Sequence, residues 1–142
     1  MFSFDGEAEG IAALASKAQH VIAAVYSVSQ PGPAEVAATS ASGLSAQGSA
    51  GILKNILDTA GDKTVVLALG SPYSILNFPS IRSYLCTYSW VPTSERSAAK
   101  ALFGEIPTQG KLPVTLPGIA KRGDGIEKEV GTSANALTML SK

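Results

Sequence analysis

One cysteine and one histidine stand among 142 residues, and that scarcity removes whole classes of chemistry. A single cysteine, Cys86, makes no internal disulfide. One Cys with one His cannot supply the three or four clustered ligands of a Cys/His metal site, so no metal is expected; a carboxylate-only site stays open, with no motif to mark it. Net charge is missing as well. Eleven Lys and Arg balance eleven Asp and Glu, so the chain lacks the basic footprint that neutralises a phosphate backbone, and nucleic acid is not an expected partner. No apolar stretch reaches the ~18 residues that cross a bilayer, and the opening MFSFDGEAEG has neither the basic nor the apolar region of a signal peptide. No membrane span is expected.

What is present reads as one compact domain. Hydrophobic residues make up 45% and charged residues 15%, with 14 Gly and 8 Pro spread along the chain. That suits a single core and is too short for an eight-stranded α/β barrel. From Glu7 to Gln19, Ile11, Leu14, Ala15 and Ala18 recur at helical spacing. HVIAAVYSVS follows from His20, a nearly unbroken apolar run that predicts a strand covered on both faces. A Pro, Gly, Ala and Ser-rich connection spans Gln30 to Gly43. Ser45 is placed to cap a helix whose stripe is Ile52, Leu53, Ile56 and Leu57, with Gly61 as its stop.

A second strand is expected over Thr64 to Gly70 and a third over Tyr84 to Trp90. A helix then runs from Pro92 and Ser94 through Phe103, packing on Ala98, Ala101 and Leu102 and closed by Gly104. The extended segment between Pro113 and Pro117 belongs at the sheet margin, because proline has no N–H for an interior ladder. Gly123 and Gly125 read as turn residues, and a terminal helix is expected from Ser133 to Leu140. Helices alternating with buried strands give an α/β class, a layered sandwich with a mostly parallel central sheet flanked by helices.

In such sheets the working crevice lies beyond the carboxyl ends of the strands. The residues expected there are Tyr26, Ser27, Val28 and Ser29, then Ser71, Pro72 and Tyr73, then Ser89, Trp90 and Val91. None is a carboxylate, His or Cys. Glycoside hydrolysis needs two carboxyl groups across the scissile bond, and no such pair stands out: Glu95 reads as a first-turn helix residue, and Asp5, Glu7 and Glu9 as a solvated helix entry. His20 falls at the start of a strand, opposite the crevice, which disfavours a serine-hydrolase arrangement, and it reads as a structural histidine. GEIPTQGK, from Gly104 to Lys111, has one residue too many for a phosphate loop, and Leu112 replaces the hydroxyl that should reach Mg²⁺. No cofactor motif remains.

Aromatic residues are few but concentrated: Tyr73, Phe78, Tyr84, Tyr88 and Trp90 are five of the nine, within eighteen positions. Two readings stay open, core packing or a docking surface for a partner domain or a sugar.

The order VVLALGSPYSILNFP, YLCTYSW, SAAKALFGEIPTQGKLPVTLPG resembles the C-terminal domain of family 3 glycoside hydrolases, most closely from Lys63 to Gly118. The resemblance implies a domain over residues 1–118, with residues 119–142 as an extension packed on it. It also implies a six-stranded α/β sandwich docked on an N-terminal TIM-like barrel that carries the nucleophile. In many members the C-terminal domain adds an acid/base glutamate just beyond the first strand, where this chain has Tyr26, Ser27 and Val28. That departure points to the branch resembling β-N-acetylglucosaminidases, whose acid/base pair lies on the barrel. The resemblance therefore assigns no catalytic residue here. It leaves Ser71, Tyr73, Tyr88 and Trp90 as candidates for the cleft border or domain interface, with the barrel as partner and a carbohydrate as ligand. A self-contained flavodoxin-like binding or signalling domain is the alternative from another class.

Overall fold

A computed structural model describes residues 4–27 and 46–131. The expected Gln30 to Gly43 connection, the Ser45 cap and the terminal helix at Ser133 lie outside them. Helix α1 (Phe4–Lys17) leads to strand β1 (Val21–Ser27), helix α2 (Ala46–Ala60), strand β2 (Thr64–Gly70), strand β3 (Ser83–Cys86) and helix α3 (Pro92–Leu102). Short 3-10 turns at Gly61–Lys63 and Pro72–Asn77 precede and follow β2. The three strands are all parallel in the order β1-β2-β3, so the protein is a layered α/β fold with β2 at its centre.

Side chains alternate across a strand, and the two faces of β2 bury different partners. Val66, 1% exposed, meets Leu53 and Leu57 of α2, Ile75 and Ile81 of the β2–β3 connection, and Leu116 of the tail; Ala23, Val25 and Tyr84 complete that side. Leu67 and Leu69 point the other way, against Ala98 of α3 and Leu85. Every residue of β2 is buried, which is what an unalternating apolar run requires. Helix α1 lies against α2, where Ala15 meets Ile56 and Ala60 beside Val21 and Ile52. Its end is tied to β2: Lys63 Nζ donates to the Ser16 and Ala18 carbonyls at 2.7 and 2.6 Å. The lysine satisfies carbonyls that the last turn leaves unpaired and sits at the negative end of the helix dipole.

Three elements differ from the sequence reading. Among the described residues β1 is covered on one face only. Ile22 is 50% and Tyr26 55% exposed, because β1 is an edge strand and α3 packs on the residues of β2 and β3. β3 stops at Cys86 instead of reaching Trp90, since Tyr88 turns the chain with φ 58°. The Pro113–Pro117 segment lies beside the β3 margin but joins no strand of the sheet. Leu116 packs into the core on the α2 side, and its backbone makes only an isolated bridge to Ala120. Three strands, not the six that the resemblance implies, form the sheet among the described residues. The chain from Pro107 to Pro117 is punctuated by three prolines that cannot donate to a ladder.

Residues 119–131 fold back on the preceding segment. Thr108 and Lys128 exchange backbone hydrogen bonds at 3.0 and 2.9 Å, the Leu112 N–H donates to Asp124 O at 2.8 Å, and Ile119 packs on the core around Leu116.

Candidate functional site

Past the carboxyl end of β2, Gly70 turns with φ 119°. Ser71 then caps the 3-10 turn, its Oγ accepting from the Tyr73 N–H at 3.3 Å. Pro72 supplies the fixed φ at the first position of that turn. The Tyr84 hydroxyl reaches across from β3 and donates to the Pro72 carbonyl at 3.0 Å, fastening the turn to the sheet. Past β3, the Thr87 N–H still donates to Ala68 O at 3.0 Å, and its Oγ1 donates to Ser89 O at 2.6 Å. These bonds hold the bend in which Tyr88 takes its left-handed conformation, uncommon for a bulky residue.

The tail from Thr108 to Ile126 passes beside β3 and leaves a groove of about 560 Å³ between them, within the usual range for ligand sites. Ile75, Leu116 and Ile119 are its aliphatic lining, Tyr84 and Tyr88 its aromatic lining, and Asp124 its one carboxylate. Asp124 Oδ2 accepts from the Lys121 N–H at 2.7 Å. Lys111 Nζ pairs with Glu127 at 2.7 Å, which pulls the Glu127 carboxyl below its usual range through that hydrogen bond and charge. Among the described residues the groove offers no second carboxyl to form with Asp124 the pair that glycoside hydrolysis requires. Among the described residues no cluster of His, Cys, Asp and Glu could hold a metal ion, and no helix is long and apolar enough to cross a membrane.

The sequence candidates separate. Tyr88 lines the groove; Ser71, Tyr73 and Trp90 do not. Trp90 stands on the other side of the sheet end, against Tyr26 with ring centroids 5.9 Å apart and planes tilted by 48°, and it remains 47% exposed. Tyr73 projects from its turn, exposed. Of the aromatic group, Phe78 and Tyr84 pack on the core while Tyr73, Tyr88 and Trp90 face outward, so each of the two readings holds for part of it. Glu95 is an exposed first-turn residue of α3, and His20 is exposed in the bend before β1. No helix follows Gly104–Lys111; Gly104 instead ends α3 with φ 73°.

Sequence reading missed Leu112, Asp124 and the backbone of β3 as groove components. The only hint was the glycine spacing at Gly110, Gly123 and Gly125.

Cys86 is half-buried, not fully enclosed. Burial pushes its thiol upward, against a hydrogen bond from the Tyr88 backbone that favours the thiolate. Burial likewise raises the Tyr84 phenol, reinforced by Cys86 and opposed by a hydrogen bond with Ser74. In the unfolded chain these groups ionise at their ordinary values, about 8.5 for Cys and 10 for Tyr, while the folded state retains the protons. Their stabilisation is full below those values and is lost progressively as pH rises above them toward the raised folded-state values. The melting temperature should fall between about pH 8.5 and 11, and Tyr84→Phe should flatten the upper part of that fall. A melting curve unchanged to pH 11 would contradict the burial of both groups.

Comparison of the chain with family models, with curated proteins and with solved structures finds no match.

Proposed function

We propose that this chain is the accessory C-terminal α/β domain of a family 3 glycoside hydrolase of the β-N-acetylglucosaminidase-like branch. In this reading the parent enzyme hydrolyses terminal β-linked N-acetylglucosamine or glucose-type sugars, with its nucleophile and acid/base on an N-terminal barrel. The present domain buttresses that barrel and borders its cleft. The observation that carries the reading is the ordered set of motifs from Val65 to Gly118, each with a separate task in one layered sheet. Gly70 to Tyr73 makes the capped turn after β2, Tyr84 pins that turn, Ala98 and Leu102 seat α3, Gly104 ends it, and the Lys111–Leu116 segment closes the core.

Two further features support it. The sequence just past Tyr26 has no glutamate, and among the described residues the groove beside β3 has a single carboxylate, Asp124, in keeping with a catalytic pair carried by the barrel. The uncovered side of β1, with Ile22, Tyr26 and the neighbouring Trp90 and Val91 exposed, offers the apolar surface that a barrel would cover. The flavodoxin-like alternative is less favoured. Its sheet order is 2-1-3 with a ligand at the resulting switch point, whereas the described strands run β1-β2-β3 without a reversal.

The test is hydrolysis of chromogenic β-N-acetylglucosaminide and β-glucoside by the isolated chain and by the chain joined to an upstream barrel. The isolated chain should show no turnover above the uncatalysed rate. The joined protein should cleave, and the preferred substrate names the branch. Turnover by the 142-residue chain alone would overturn the proposal.

A further inference from the structure

The groove beside β3 has a property that does not depend on the glycosidase reading. Tyr84, Leu85 and Cys86 are consecutive in β3 and all three line it. Consecutive strand residues point to opposite faces, so a groove that touches all three runs along the strand's edge and not over one face. The other edge of β3 is taken by β2. The Thr87 N–H donates toward β2, and backbone groups alternate in direction along a strand. The N–H and C=O of Tyr84 and Cys86 therefore point away from β2, into the groove. Among the described residues β3 pairs with no strand but β2, and no turn or loop backbone bonds to these four groups.

We propose that this edge is a strand-addition site that takes an extended, uncharged peptide segment as a fourth strand. An edge whose donors and acceptors at every second residue are taken by no strand among the described residues is complementary to one ligand chemistry above all, another extended backbone with the same repeat. The side-chain environment narrows the choice. Ile75, Leu116, Ile119 and Ile126 form an apolar lining for alternate side chains. Lys111 and Asp124 line the groove with opposite signs, and Lys111 also pairs with Glu127, so the lining holds no concentrated charge of one sign that would recruit a strongly charged segment. Tyr88, turned by its positive φ, limits the run at the carboxyl end.

The experiment uses the full 142-residue chain, isotopically labelled, titrated with acetyl-Thr-Val-Thr-Val-Thr-amide and followed by backbone amide NMR. A second peptide with every amide nitrogen methylated keeps the side chains and removes the backbone donors. Saturable shifts centred on Tyr84 to Cys86, slowed exchange of the Tyr84 and Cys86 amides, and at least about ten-fold weaker binding of the methylated peptide are expected. Ile126→Lys places a charge in the groove at a partly exposed position and should weaken binding by a similar factor. Equal binding of the methylated peptide, shifts centred on Tyr26 and Trp90 instead, or no saturable shift at about 5 mM peptide would each overturn the proposal. The peptide comparison leaves the protein unaltered, so it holds even if a variant fails to fold.

Discussion

Ile75→Ala is expected to lower the unfolding free energy by about 2–5 kcal/mol. Ile75 sits in the 3-10 turn Pro72–Asn77 and is 2% exposed, packed with Leu53, Leu57, Val66, Ile81 and Leu116. It is the point where the β2–β3 connection, helix α2 and the tail meet the sheet. Truncation removes the transfer free energy of the lost carbons and leaves a cavity whose walls belong to several elements, so collapse around it is restricted. Against a typical stability of about 5–15 kcal/mol, that is a large share. Leu76, the next residue, points outward, and Leu76→Ala should change stability by no more than about 0.5 kcal/mol. Urea unfolding checks both through the midpoint at constant slope. A loss below about 1 kcal/mol for Ile75→Ala would mean that the turn is not anchored through this side chain.

The same packing explains how much of the fold was legible in the sequence. Strand β2 was read to its observed bounds because it is buried on both faces, and an unbroken TVVLALG run has few other stable placements. Helix α3 was readable for a local reason, with Pro92 at its start and Gly104 at its end, each doing what its backbone chemistry favours. β1 has an equally apolar sequence yet is half exposed. Composition reports what a strand can bury, while α3 decides what is buried. The length of β3 was overread because Tyr88 takes a positive φ that side-chain patterning does not signal. Candidates chosen by proximity to strand ends were split by the fold, with Tyr88 on the groove and Trp90 on Tyr26. The groove itself was invisible, because it depends on two tail segments crossing closely, and spacing along the chain does not record that approach.

That crossing supplies the second large prediction. Gly125 passes Gly110 so closely that a Cβ on Gly125 would run into the Gly110 carbonyl oxygen and press on the Lys111 side chain. A carbonyl in a backbone crossing cannot swing aside as a side-chain tip can. Gly125→Ala must therefore push the 108–112 and 123–126 segments apart, against the bonds from the Leu112 N–H to Asp124 O and from the Gly123 N–H to Leu112 O, both 2.8 Å. The expected cost is about 1–3 kcal/mol, as for overpacking elsewhere. Hydrogen exchange should accelerate at Leu112 and Gly123, while amides in β2 lose only the global share. Gly51 is the internal control. It lies inside α2 with open space around its missing Cβ, so Gly51→Ala should stabilise by about 0.5–1 kcal/mol through helix propensity and a more restricted unfolded chain. Opposite signs for one substitution at two glycines would tie the cost at Gly125 to the crossing. Equal effects would show that the Gly110–Gly125 approach does not constrain the groove.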